Sequence, residues 1–231
     1  MEPEIIVPLL FGAVITIGIL GAVSSYRREK KRRDALAAAA ARWQLGFELE
    51  PSASARRVFD HLPLFDRGRQ KTASNRLFGE MEGLGLEHFD YSYVTGSGKN
   101  RSTRNQSVVG VTIPGAQLPA FVLEPEAMFD KLAAVFGATD FDFTTHPEFS
   151  KRYLLRGDDE DAVRRLFAPG VLGWFERNLG LHVEGAGDAL IVYRWGRLRP
   201  ADEVRTALHE ALEVARQLVP AAARKGEVAE G

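Results

Sequence analysis

An uninterrupted apolar run lies near the N-terminus of the chain. From Ile5 to Val23, nineteen residues follow one another without a charged side chain. A helix needs about 20 apolar residues to cross the hydrocarbon core of a bilayer. Two glutamates precede the run and basic residues follow it, whereas a cleaved signal peptide carries its positive segment before the apolar region. The pattern therefore predicts an uncleaved transmembrane anchor over residues 1–26.

Arginine and lysine dominate the stretch that follows, residues 27–33. Because such an excess of positive charge stays on the cytoplasmic side of a membrane, we expect a membrane protein of one span, with the N-terminus outside and the C-terminal domain cytoplasmic. The same side chains are expected to contact the bilayer through anionic lipid head groups. A dedicated lipid-sensing role is the alternative. The predicted membrane-surface residues are Arg27, Arg28, Lys30, Lys31, Arg32 and Arg33.

The residues after the basic stretch favour a continuous helix. Alanine has the highest helix propensity and occupies positions 37–41, so a basic juxtamembrane helix is predicted over residues 27–44, ending before Gly46. Within the apolar run, Gly18 and Ala22 stand four residues apart, a spacing that permits close contact between membrane helices. A homodimer through the span is therefore one expected arrangement.

From residue 76 onward, segments of alternating polar and apolar positions predict β-strands, separated by amphipathic segments that predict helices. The predicted strands cover residues 76–82, 85–95, 105–113, 119–124, 140–143, 151–156, 180–185 and 189–195. The predicted helices cover residues 126–136, a segment begun by the acids 158–161, a segment around Trp174, and residues 201–218. Because the strand pairs read as hairpins, the fold class is α+β with an antiparallel sheet packed with helices. One soluble domain over residues 45–219 and a disordered tail over residues 220–231 complete the prediction.

Composition narrows the functional classes. The chain has 30 Lys plus Arg against 31 Asp plus Glu, so the formal charge is −1 and a nucleic-acid partner is disfavoured. The absence of cysteine excludes disulfides, thiolate zinc sites and thiol nucleophiles. Removing the basic flank and the first two glutamates leaves a mildly acidic body, which suits a domain held just off an anionic membrane. We expect no cofactor.

Four residues within a short segment have side chains that are chemically suited to bind a metal ion: Asp140, Asp142, His146 and Glu148. They are the candidate metal site. The alternative is an edge strand with an acidic solvent face, since the two aspartates alternate with phenylalanines, followed by a capped helical turn. This alternative is favoured.

Other motifs fall short of a complete site. His88 and Asp90 share one face of a predicted strand, but no nucleophile accompanies them. The segment 96–99 lacks the glycine and hydroxyl residue that a phosphate-binding loop requires. His209 begins a stretch that lacks the second histidine of a zinc-protease helix and is interpreted as part of a solvent face. No catalytic residue is predicted.

Several blocks of the chain are similar to those of a known family. They are FDYSYVTG, QSVVGV and the long run LPAFVLEPEAMFDKLAAVFGATDFDFTTHPEFSKRYLLRGDDEDAVRRLF, all behind one apolar span with a basic flank. Over roughly residues 59–167 the chain resembles an uncharacterised family of bacterial single-span membrane proteins. The family has no assigned activity, so the resemblance implies an inner-membrane location and carries no catalytic residue.

The chain is therefore expected to be a membrane-anchored bacterial protein whose α+β domain binds a protein partner or a small ligand at the cytoplasmic face of the inner membrane. Two alternatives stay open at this point. One is a membrane-anchored metal-dependent hydrolase that uses the candidate metal site. The other reverses the topology and makes the domain a periplasmic envelope-assembly factor.

Overall fold

The computed structural model describes residues 3–52, 58–126 and 140–219, and the side chains from residue 16 onward. The helix predicted over residues 126–136 and the tail predicted over residues 220–231 lie outside the described residues, apart from Glu126.

The chain begins with one long helix, α1 (Pro3–Arg42), of 40 residues. At a rise of 1.5 Å per residue it is about 60 Å long. The sequence predicted a helix continuing past the basic flank, and α1 ends at Arg42, close to the expected position. Among the described residues, no helix combines the length and the hydropathy that a membrane span requires. Residues 5–15 of the predicted span lie before residue 16, where the description of the side chains begins.

The eight strands of the described residues form one antiparallel sheet with the order β1-β2-β3-β4-β8-β7-β5-β6. The strands are β1 (Gly46–Glu48), β2 (Arg69–Met81), β3 (Leu84–Thr95), β4 (Ser102–Thr112), β5 (Leu118–Pro125), β6 (Tyr153–Gly157), β7 (His182–Gly187) and β8 (Ala189–Tyr193). A two-residue turn with positive φ at Glu82 and Gly83 joins β2 to β3, which is the geometry that suits a tight hairpin. The predicted α+β class with an antiparallel sheet is confirmed.

Helices cover one face of this sheet, which we call the helix face. Besides the second half of α1 they are α2 (Pro147–Ser150), α3 (Glu160–Leu166), α4 (Pro169–Arg177) and α5 (Val204–Leu218). The predicted apolar stripe of α5 is present, since Val204, Leu208, Ala211, Leu212 and Ala215 are all buried. They join inward-facing strand residues such as Leu86 and Val111 in the larger hydrophobic core.

The opposite face is covered without any α-helix among the described residues. The covering segment, residues 58–68, crosses this face and contains a 3₁₀ turn at Pro63–Asp66. Its apolar side chains pack on the outward rings of β3, including Phe65 on Tyr91, with ring centroids 4.9 Å apart. A smaller second core therefore fills the space between the covering segment and the sheet.

Two parts of the secondary structure differ from the prediction. Residues 140–143 do not form a strand, because their pairing with β6 stops after the Phe141 amide bonds to the Leu155 carbonyl. The sheet also begins earlier than predicted, with β1 pairing to the second half of β2 and β2 starting at Arg69. Residues 69–75 are mostly polar, so they show no alternation of polar and apolar positions from which a strand could be predicted.

Gly185 of β7 tests how tightly the helix-face core is packed. A Cβ atom at this position would lie 2.5 Å from Cε1 of the buried Phe121 ring, so the ring or the strand must shift. We expect Gly185→Ala to lower the free energy of unfolding by about 1–3 kcal/mol. The measurement is urea unfolding of the full chain in mild detergent, followed by tryptophan fluorescence.

Gly170 provides the matched control, because a Cβ atom there meets nothing within 4 Å and the residue lies in the first turn of α4. Gly170→Ala is expected to leave stability unchanged or to raise it by up to about 1 kcal/mol through helix propensity. Equal effects of the two substitutions would contradict the packing argument.

Candidate functional site

The second half of α1 is joined to the sheet by an ion pair. Arg32 forms a two-pronged contact with Asp90 of β3, in which Nη1 faces Oδ2 and Nη2 lies 2.9 Å from Oδ1. Arg32, Leu36 and Ala40 are spaced at intervals of four residues and so lie on one side of the helix. The last two are fully buried in the helix-face core. One charged and two apolar contacts therefore dock α1 on the sheet, and we call this contact the junction.

Further partners surround the Asp90 carboxylate. It accepts hydrogen bonds from Asn75 Nδ2 at 2.9 Å and from Ser107 Oγ at 2.8 Å. Arg32 in turn donates to the backbone carbonyl of Arg199, at 2.7 Å from Nη2. The amide of Arg199 donates to the Ser107 hydroxyl at 2.9 Å. The junction therefore ties α1, three neighbouring strands and the segment before α5 into one network.

His88 lies beside this network and is fully buried. Burial lowers its pKa to about 4, and the charges of Arg32 and Arg199 act in the same direction, while Asp90 opposes them. Neither ring nitrogen has a hydrogen-bond partner in the described part of the protein. The sequence left open a His88–Asp90 pair for general-base chemistry, and the structure does not form it, because both Asp90 oxygens are occupied by other donors.

The six predicted membrane-surface residues divide into two groups. Arg27, Arg28, Lys30 and Lys31 are exposed along α1. Arg32 instead serves the junction, with its side chain 16% exposed, and Arg33 is half-buried, 3.9 Å from Asp34. Sequence alone could not separate these groups, since all six stand in one basic run.

A second buried ionic cluster lies under the covering segment. Nη2 of Arg67 is 2.8 Å from Oε1 of Glu124 and 3.5 Å from Oε1 of Glu184. The two oxygens of Glu184 also accept hydrogen bonds from the Leu64 amide, at 2.7 Å, and from the Tyr193 hydroxyl, at 2.8 Å. Strands β5, β7 and β8 thus hold the covering segment through one buried arginine.

Burial governs the titration of this cluster. It raises the pKa of Glu184, although Arg67 opposes the shift, and it raises the pKa of Tyr193 well above the ordinary value. It lowers the pKa of His182, which stacks on Tyr193 at a centroid distance of 4.8 Å, to about 3. The carboxylates of this cluster are committed to internal donors, so we assign it a structural role in fastening the covering segment.

Three of the four predicted metal ligands have another side-chain contact in the structure, and the fourth is exposed. Asp140 accepts the Leu155 amide at 2.7 Å, and burial raises the pKa of its carboxyl. Glu148 pairs with Lys151 at 3.0 Å, which lowers its pKa, while Asp142 is exposed and His146 contacts Thr145. Among the described residues, no three His, Asp or Glu side chains are grouped so as to hold a metal ion. The hydrolase alternative gains no support from this geometry.

A surface groove of about 290 Å³ lies where α1 ends. It is formed by the end of α1 and the turn after it, by the last residue of β2 and by the first half of α5. The lining residues are Arg42, Trp43, Gln44, Leu45, Met81, Arg205, Leu208 and His209. The sequence placed Arg205 and His209 on an ordinary solvent face, because their proximity to Trp43 depends on how α5 packs beside α1.

Sequence reasoning missed both the junction and the Arg67 cluster. A signal for the second was present, since Glu124 and Glu184 lie beside apolar residues in predicted strands, and both are buried on the face that the covering segment closes. A carboxylate at such a position predicts a buried cationic partner. Its identity as Arg67, which precedes the sheet in an irregular segment, was not accessible from any periodic pattern.

Comparisons with known proteins locate the fold. No protein-family sequence model and no curated protein matches the chain. The chain is similar in structure to the crystal structure of the mycobacterial trehalose monomycolate transport factor A, TtfA, with a TM-score of 0.52 and 13% sequence identity. The match covers 81% of this chain and 90% of the other. At this identity the likeness is one of fold.

Replacing Arg32 tests the energy of the junction. Arg32→Gln leaves the largely buried Asp90 carboxylate without its cation and removes hydrogen bonds to a charged group, so we expect a loss of about 2–3 kcal/mol in the free energy of unfolding. Arg33→Gln is the matched control, since its contact with an exposed aspartate is worth less than about 1 kcal/mol. Urea unfolding of the full chain measures both. Similar losses for the two variants would show that the junction does not stabilise the fold.

The buried histidine predicts a pH dependence of stability. Because the folded pKa of His88 is about 4, against 6.5 for the free side chain, the unfolded chain binds more protons between these values. The contribution of neutral His88 to the free energy of unfolding is complete above pH 6.5. It falls towards pH 4 by at most about 1.4 kcal/mol per pH unit. His88→Leu should show a shallower decline in unfolding free energy between pH 7 and 4.5. An unchanged slope would mean that His88 is not held neutral by the fold.

Proposed function

We propose that this protein is a non-catalytic membrane-associated factor whose α+β domain is held in a fixed orientation at the cytoplasmic face of the inner membrane. The observation that carries the proposal is the junction. Arg32 stands nine residues beyond Val23, about 14 Å along the helix axis. The contact with Asp90 therefore acts close to the end of the apolar run.

Continuity of α1 supports a rigid connection. The apolar run and the docked half belong to one helix, with no break between Pro3 and Arg42. A domain at the end of a flexible linker would be free to rotate, whereas the docking of Leu36 and Ala40 restrains this domain against its own anchor. Fixed presentation suits a factor that positions a partner or a ligand.

The exposed cations support the cytoplasmic orientation. Arg27, Arg28, Lys30 and Lys31 are exposed on α1 next to the apolar run, where they are free to contact lipid phosphates. Positive residues in this position are retained on the cytoplasmic side. A Cβ atom added at Gly18 or Gly21 would meet nothing within 4 Å, which leaves this part of α1 open to a second copy in the membrane.

The class of factor is supported by two observations. The buried carboxylates of the sheet are occupied by structural hydrogen bonds, which favours binding over catalysis. The fold is similar to that of a mycobacterial transport factor. We therefore propose that this chain is an accessory factor of a membrane process. Trehalose monomycolate, the molecule named for the similar protein, is not part of this proposal.

The experiment uses the absence of native cysteine. Ser97 lies in the exposed loop between β3 and β4, so Ser97→Cys reports the side of the membrane on which the domain lies. Glu2→Cys, before the apolar run, is the matched control. With a membrane-impermeant maleimide on spheroplasts, we expect Glu2→Cys to label before lysis and Ser97→Cys only after it. Both variants should stay in the membrane pellet after alkaline carbonate extraction.

Other outcomes separate the alternatives. Release of the chain by carbonate would refute the anchor. Labelling of Ser97→Cys in intact spheroplasts would place the domain in the periplasm and favour an envelope-assembly factor.

A further inference from the structure

We propose that the groove at the end of α1 binds a small anionic ligand with an apolar body, such as an aromatic or short aliphatic carboxylate. The inference deepens the binding role assigned above and rests on it.

The groove is lined by two arginines and by no carboxylate. Arg42 closes one end from α1, and Arg205 and His209 stand one helical turn apart on α5. All three are exposed, and none has an ion-pair partner among the described residues. An anion in the groove would therefore meet the guanidinium groups of Arg42 and Arg205 and no carboxylate of the lining.

The remainder of the lining is largely apolar. Trp43, Leu45 and Met81 are half-buried, and Leu208 is buried at the base. Small-molecule sites are typically apolar, with a few placed polar groups that orient the ligand. A volume of about 290 Å³ lies at the small end of the range of such sites. It suits one compact ring system or a short chain.

The turn after α1 fixes one wall of the groove. Gln44 adopts a left-handed conformation with φ of 58°, and the Leu45 amide bonds back to the Ala40 carbonyl at 2.9 Å, as in a helix C-terminal cap that normally uses glycine. This turn seats Leu45 over Gly79, where an added Cβ would lie 2.5 Å from Leu45 Cδ2. Because this wall is already ordered, less conformational entropy is lost when a ligand binds.

Position along α1 identifies the source of the ligand. Arg42 lies nineteen residues beyond Val23, about 28 Å along the helix. A head group that stays in the bilayer cannot reach that far, so the groove fits a molecule dissolved in the cytoplasm. The exposed cations nearer the membrane are the ones placed for lipid.

The test is calorimetric titration of the full chain, in phosphatidylcholine nanodiscs, with 2-naphthoate as the probe. Empty nanodiscs give the background. We expect saturable binding at a single site, with binding of the neutral analogue 2-naphthalenemethanol weaker by about ten-fold, as loss of a charge-assisted contact implies. Arg205→Gln should weaken 2-naphthoate by about five- to ten-fold.

Arg177→Gln is the matched control, because Arg177 is an exposed arginine on α4 outside the groove. It should leave the affinity unchanged, and both variants should keep the wild-type unfolding midpoint. Absence of saturable binding to the wild-type protein would overturn the proposal, as would equal affinity for the neutral analogue or for Arg205→Gln. Each of these failures leaves the membrane retention and labelling results intact, so the two proposals fail separately.

Discussion

The pairing of Arg32 with Asp90 is the contact on which the arrangement of this molecule depends. A carboxylate on the inward side of β3 is costly to bury unless a cation and hydrogen-bond donors surround it. Here the cation comes from α1 and the donors from β2 and β4. Since the same helix continues into the apolar run, satisfying one buried charge also sets how the domain stands relative to its N-terminal helix.

The two faces of the sheet are covered by different means. Helices with apolar stripes close the helix face, where the junction adds a charged contact between α1 and the strands. The opposite face is closed by an irregular segment with few regular backbone hydrogen bonds. Arg67, buried between Glu124 and Glu184, supplies the attachment that secondary structure does not. Arg32 on the helix face and Arg67 on the opposite face thus each join a non-sheet element to the strands.

Much of the sheet was predictable because its physical signal is local. Residues 85–95 alternate so regularly that the predicted strand and β3 differ by one residue. The hairpin of β7 and β8 follows from glycines between two apolar runs, and the stripe of α5 follows from its period. The segment 140–143 shows the limit of this reasoning, since its alternation was real but its pairing with β6 did not continue. Alternation of polar and apolar residues indicates that one side of an extended segment is buried and the other exposed. It does not show that a neighbouring strand forms hydrogen bonds with that segment.

The sequence by itself determined the α+β class, the long N-terminal helix with its basic flank, and the absence of thiol chemistry. These features depend on composition or on spacing within a few residues. Only the tertiary structure separated Arg32 from the five other basic residues of its run, since its partner lies 58 positions away. It likewise brought Arg42 and Arg205 to one groove and dispersed the acids of residues 140–148 among local partners. Charges near each other along a chain need not be neighbours in space, because packing and desolvation choose their partners after the elements have formed.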